Sequence, residues 1–124
     1  MALDLEKLKL ELRQFAKARE WDQYHSPKNL SMALAVEAGE LLERFQWLTE
    51  EQSRKLDAKT LRTVEEEIAD VQIYLVRLAD RVGIDIGGAV KRKIRLNRSR
   101  YPARLVKGSI RKYSAYTKKR RGNR

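Results

Sequence analysis

The feature that most constrains this chain is a run of apolar residues at alternating three- and four-residue steps: Leu61, Val64, Ile68, Val71, Leu75, Leu78 and Val82. That is the period of an α-helix, and it persists too long for a strand. It predicts a helix over about residues 60–82, ended by Gly83 as a left-handed C-terminal residue. Two other runs share the period. Leu5, Leu8, Leu12, Phe15 and Ala16 predict a helix over residues 4–19. Leu30, Leu34, Ala38, Leu41, Phe45 and Leu48 predict one running to about Leu48. That helix is entered at Ser26-Pro27, with Ser as the side-chain cap and Pro at the first helical position. A weaker, cationic pattern follows from Ile86 to Arg98, capped by Asp85 and stopped by Pro102. Ala103 to Val106 predict one further turn, and Thr49 with Gln52 fits a capping box. No strand is predicted. The expected class is all-α with a four-helix core.

On two of these helices the carboxylates form an unusual pattern. Glu37-Ala-Gly-Glu40 and Glu67-Ile-Ala-Asp70 each place two acids three residues apart, a spacing that makes them neighbours on a helix surface. Facing sorts them from the other acids. Glu37 borders the apolar stripe of its helix and Glu40 stands beside it, while Glu43 lies nearly opposite. Glu67 and Asp70 share one flank with Tyr74, and Glu66 points to water. Glutamates on helix faces are ordinarily just solvated charge. Two pairs, each on the core flank of its helix, point instead to a shared pocket. Four carboxylates cannot all ionise in one dry pocket without a cation. An all-oxygen donor set suits a hard ion, Mg²⁺ or Mn²⁺, rather than zinc. Gly39, between two acids, suggests close approach of another backbone or a ligand.

Composition excludes several alternatives. The chain of 124 residues has no cysteine and one histidine, so disulfide, thiolate and His-based zinc chemistry are set aside. No apolar run approaches the roughly 20 residues of a membrane span. The first residues carry no secretory apolar core, so a cytoplasmic location is expected. Charge is split unevenly. Residues 1–90 hold all 17 acids against 13 Lys and Arg, a balance of −4; residues 91–124 hold 15 Lys and Arg and no acid. A basic end implies an anionic partner: nucleotide phosphates, nucleic acid or an acidic surface. The expected organisation is an all-α domain over residues 1–108 and a basic tail over 109–124.

The connection Trp21-Asp-Gln-Tyr-His-Ser-Pro27 is dense in aromatic and polar groups. Trp21 and Tyr24 either plug the end of the core or wall a binding pocket. His25 alone is more often structural than catalytic. Trp47 lies off its own helix's stripe, toward Glu40.

In their order along the chain these residues resemble the all-α, MazG-like nucleotide pyrophosphohydrolases, and most closely their dCTP pyrophosphatase branch. The resemblance rests on Arg19-Glu-Trp-Asp-Gln-Tyr-His25, Asn29-Leu30, Glu37-x-x-Glu40, Phe45-Gln-Trp47, Glu67-x-x-Asp70, Ile73-Tyr-Leu-Val76, Asn97-Arg98, Arg100-Tyr-Pro-Ala103 and Arg111-Lys-Tyr113. It implies Mg²⁺-dependent hydrolysis of a nucleoside triphosphate, dCTP or a modified dCTP, to the monophosphate and pyrophosphate. It implies that Glu37, Glu40, Glu67 and Asp70 bind the metal, with Glu40 a candidate general base. It implies that Trp21, His25, Trp47 and Tyr74 line a nucleoside pocket, that Lys93 and Asn97 meet the phosphates, and that chains associate into dimers or tetramers with sites at subunit contacts. Two features depart from the branch: the mammalian enzymes carry a His where this chain has Leu12, and the basic tail after Tyr113 differs. The competing expectation is a nucleic-acid-binding helical protein using the basic C-terminal third. It does not account for the four carboxylates, which repel a polyanion.

Overall fold

In a computed structural model of the protein, which describes residues 2–109, every regular element is helical. They are α1 (Leu5–Ala18), α2 (Pro27–Glu43), α3 (Glu50–Arg54), α4 (Ala58–Val82), α5 (Ile86–Arg100) and α6 (Ala103–Val106), with a 3₁₀ turn at Asp22–Tyr24. The basic block expected in the tail lies outside the described residues.

Helix boundaries follow from local capping chemistry. The Asp4 carboxylate accepts hydrogen bonds from the backbone N–H groups of Glu6 and Lys7 at 3.0 and 3.2 Å. Ser26 Oγ accepts from Asn29 N at 3.1 Å ahead of Pro27. Thr49 and Gln52 cap each other reciprocally. The Asp57 carboxylate accepts from Thr60 N at 2.7 Å, starting α4 two residues earlier than the apolar pattern suggests. Each of these satisfies an amide that the helix itself leaves open. Gly83 adopts φ +74°, and the Ile84 and Gly83 amides donate back to the carbonyls of Ala79 and Asp80 at 2.8 and 3.2 Å. This is the paired hydrogen-bond pattern of a Schellman ending. Helix α2 stops at Glu43, short of Leu48. Bonds to the third residue back, Arg44 N to Leu41 O and Phe45 N to Leu42 O, tighten its last turn and break the α register.

The chain divides into two compact units, Met1–Asp85 and the part beginning at Ile86. In the first, α4 is the central element: α2 packs along it most extensively and α1 packs on it as well. A bidentate pair, Arg13 to Asp80 at 2.6 and 2.7 Å, ties α1 to α4. Its guanidinium also holds the Asp80 carboxyl below the usual carboxylate range. Among the described residues the buried apolar side chains are only Ala16, Leu30, Val64, Val76 and Ala79.

The α4 stripe corrects one expectation. Leu61, Ile68, Leu75 and Val82, which make up the side of the predicted core face away from Glu67, are exposed, whereas Val64 on the same face is buried and Glu67 and Arg77 are only 7% and 4% exposed. The apolar period locates an apolar face but cannot say what covers it. Within one chain, only one side of that face is covered. In the second unit, α5 carries Lys91, Arg92, Lys93, Arg95 and Arg98, all exposed.

Gly83 generates a stability prediction. Its left-handed backbone strains any side chain even though space is free around it. Gly83→Ala is expected to cost about 1 kcal/mol, read as a lower urea midpoint with an unchanged slope.

Candidate metal and nucleoside site

The two acid pairs meet where α2 packs on α4. Carboxylate oxygens of Glu37, Glu67 and Asp70 lie within 4.8 Å of one another. Glu40 is outside that triad, and its charge acts on the Glu37 carboxyl. Glu67 Oε1 accepts from Arg44 Nη2 at 3.1 Å, which leaves Oε2 turned inward. Glu67 Oε2 and Glu37 Oε2 are both buried without a hydrogen-bond donor. Buried acceptors in folded proteins almost always find a partner, so two orphans in one cluster need an explanation. Removal from water raises the Glu37 carboxyl above its ordinary range, and the charges of Glu40, Asp70 and Glu67 raise it further. The cluster is thus short of positive charge. Its donor set, carboxylate oxygen throughout, fits a hard divalent cation.

Gly39, between the two α2 acids, has no atom of the described residues beyond its own helix backbone and chain neighbours within 4 Å of where a side chain would begin. Among the described residues no other backbone makes the close approach expected there, and the space beside Gly39 is open to a ligand.

Beside the acids opens a cavity of about 420 Å³ whose lining includes Leu12, Phe15, Trp21, His25, Asp70 and Tyr74. Asp70 belongs to both the acid cluster and the cavity. The connection after α1 is held in place to form this wall. The Trp21 ring meets Phe15 edge-on at 5.6 Å between centroids, and the Arg19 guanidinium stacks 3.5 Å over Phe15. Asn29 Nδ2 donates to the Tyr24 carbonyl at 3.0 Å. Trp21 and His25 therefore line a cavity, Tyr24 is 62% exposed outside its lining, and neither Trp21 nor Tyr24 plugs the core. Trp47 does not line it: Trp47 follows the tightened end of α2 and is 85% exposed. Lys93 and Asn97 are exposed on α5, in the second unit.

Arg77 and Arg81 were not legible as site residues. Arg77 Nε donates to His25 Nδ1 at 3.2 Å, its Nη2 bonds Asp22, and Arg81 Nε donates to the His25 carbonyl at 3.0 Å. A charged residue on a long helix ordinarily reads as solvated. The one available signal is that Arg77 continues, three residues on, the flank of Glu67, Asp70 and Tyr74.

Comparison with known proteins places the chain in a class. It belongs to the MazG-like family, whose model matches residues 32–115. Among individual relatives, it is 45% identical to dCTP pyrophosphatase 1 of Homo sapiens over 103 residues and 46% identical to that of Mus musculus. Each alignment covers 82% of this chain and 61% of the mammalian protein, so the chain spans about three-fifths of their length. The crystal structure of a pyrophosphatase from Archaeoglobus fulgidus superposes with a TM-score of 0.75 at 42% identity, covering 82% of this chain and 95% of that one.

The raised Glu37 carboxyl carries a pH prediction. A folded-state pKa above the unfolded value binds protons more tightly when folded, so its contribution is full below 4.5, the ordinary value, and is lost as pH rises through the raised one. With divalent cations chelated, Glu37→Gln is expected to melt higher than wild type at neutral pH, and the gap to close as pH falls toward 4.5. Adding Mg²⁺ or Mn²⁺ is expected to raise the melting temperature of wild type and much less that of Glu37→Gln.

Proposed function

We propose that this protein is a metal-dependent nucleoside triphosphate pyrophosphohydrolase, acting on dCTP or a modified dCTP to release the monophosphate and pyrophosphate. The observation that carries this reading is the acid cluster with its two unpartnered buried oxygens, joined through Asp70 to an aromatic-lined cavity. A carboxylate cup beside a ring-lined cavity suits a ligand that is phosphate at one end and planar base at the other. The named activities of the mammalian and archaeal relatives support it.

In this reading Glu37, Glu67 and Asp70, with Glu40 at the rim, hold Mg²⁺ or Mn²⁺. Such an ion supplies neutralisation of phosphate charge and a lowered pKa for water near it. Glu40, beside Glu37 and less enclosed than Glu67, accepts the proton of the attacking water. Trp21, His25 and Tyr74 hold the nucleoside. Lys93 and Asn97 meet the phosphates, where Lys93 offsets charge on the leaving pyrophosphate. The exposed Leu61, Ile68, Leu75 and Val82, spaced seven apart along α4, support association into a homodimer or homotetramer. Trp47 then closes a neighbouring subunit's pocket, which fits its exposure on its own chain. No described helix is long and apolar enough to cross a membrane, and a cytoplasmic location fits a nucleotide substrate.

The exposed cations of α5 favour a second reading, nucleic-acid binding, in which affinity falls steeply with salt and no nucleotide is turned over.

Incubation with each dNTP and Mg²⁺ is expected to release pyrophosphate, fastest from dCTP; release from none overturns the enzyme reading. Glu40→Gln is expected to lower kcat about 100-fold or more, and full turnover by that variant overturns the base assignment. Asp70→Asn is expected to raise the Mg²⁺ concentration needed for half-maximal rate.

A further inference from the structure

His25 is the only histidine in the chain, and two arginines one turn apart on α4 grip it. Arg81 Nε holds its backbone carbonyl at 3.0 Å. Arg77 Nε donates to its ring Nδ1 at 3.2 Å. Arg77 is 4% exposed and has little freedom to turn elsewhere. Its Nη2 is bonded to Asp22 and its Nη1 lies 3.7 Å from Asp80, which Arg13 anchors in turn. All three guanidinium nitrogens are thereby committed, and the one facing the imidazole is a donor that never deprotonates.

A fixed donor dictates the protonation of the ring. Nδ1 must be the bare nitrogen, so the proton of neutral His25 sits on Nε2. The flipped ring would turn a carbon onto the guanidinium and lose the bond. An imidazolium would set two N–H donors and two positive charges against each other. In keeping with this, burial and then the Arg77 charge lower the His25 pKa below 6.5. The charged groups around the ring are Arg77 and Arg81 of α4 and Asp22 of its own turn, with Glu11 of α1 and Asp70 of α4 on the same cavity wall. Among the described residues Nε2 has no hydrogen-bond partner in the chain, though the ring lines the cavity.

We propose that Arg77 is a positioning residue that holds His25 as the Nε2–H tautomer, so that His25 offers one fixed donor to an acceptor on the base edge, a pyrimidine O2 or ring nitrogen. This deepens the nucleoside-pocket reading and rests on it. An imidazole free to exchange tautomers offers a donor or an acceptor as the ligand demands and discriminates poorly. One locked as a donor leaves an unpaired N–H against any ligand edge that lacks an acceptor, which is how polar sites reject the wrong ligand.

Because there is one histidine, long-range ¹H–¹⁵N correlation spectra of the ¹⁵N-labelled full chain report its tautomer without assignment. At neutral pH the expected pattern is a bare Nδ1 and a protonated Nε2. A protonated Nδ1, or an imidazolium, overturns the proposal. Arg77→Lys keeps the charge without the fork, and Arg77→Met removes both. In each, the two nitrogen shifts are expected to move toward the exchange average of free imidazole. Unchanged wild-type shifts in a folded Arg77→Lys protein overturn the role of Arg77. The wild-type spectrum stands as a test even where a variant does not fold.

Adding dCMP is expected to shift the Nε2 proton downfield. His25→Gln, which keeps a donor near that position, is expected to retain most of the affinity. His25→Phe is expected to raise KM for dCTP about tenfold with kcat little changed. Pyrophosphate release with no response of Nε2 to dCMP overturns the base contact and leaves the hydrolase intact. The expected tautomer with no nucleotide turned over overturns the hydrolase reading instead.

Discussion

Two buried carboxylate oxygens with no donor, Glu37 Oε2 and Glu67 Oε2, set the terms for this structure. They lie where α2 packs on α4, the most extensive helix contact in the first unit. A fold that served only to bury apolar surface would place no acids at its main seam, since every unpartnered charge there opposes the packing. Arg44 relieves part of the conflict by reaching Glu67 from the tightened end of α2. It engages one oxygen and leaves the other. The α2–α4 contact is therefore built with more negative than positive charge, an arrangement compatible with a bound divalent cation.

The same helix carries a second polar system of opposite character. Arg77 is as buried as Glu67 but fully partnered, by Asp22, Asp80 and His25. Asp70 and Tyr74 lie between them along α4 and face the cavity. One helical flank thus runs from an unsatisfied acidic cluster, past a cavity, to a satisfied basic anchor. The unsatisfied end is suited to recruiting a charged ligand, and the satisfied end to holding a wall still. Both arise from residues at three- and four-step spacing, because only a helix presents Glu67, Asp70, Tyr74 and Arg77 on one line.

Much of this was legible without coordinates, and which parts were legible is instructive. The caps at Ser26, Thr49 with Gln52, and the Gly83 ending are each decided by hydrogen bonds within a few residues, so the sequence carries the whole interaction. The pairing of Glu37 with Glu40 and of Glu67 with Asp70 is likewise local. The covering of α4 is not. Leu61, Ile68, Leu75 and Val82 have the period of a core face and are exposed, while Glu67 and Arg77 are enclosed. A periodic pattern records which face is apolar but not which neighbour packs there, and within one chain only one side of it is covered. Arg77 was hidden for a related reason: its partners Asp22 and His25 are 55 and 52 residues away.

By itself, then, the sequence determined that the chain is helical, where most of its helices begin and end, and which four acids stand apart from the rest, because each of these depends on a 3.6-residue period or on a neighbour a turn away. Only the tertiary structure decided that Glu37, Glu67 and Asp70 converge while Glu40 stands at their rim, that a ring-lined cavity adjoins them through Asp70, and that Arg77 faces His25. Those relations join residues from different helices. Packing of α1 and α2 on α4 sets them, and no local spacing encodes the angle and register at which the helices meet.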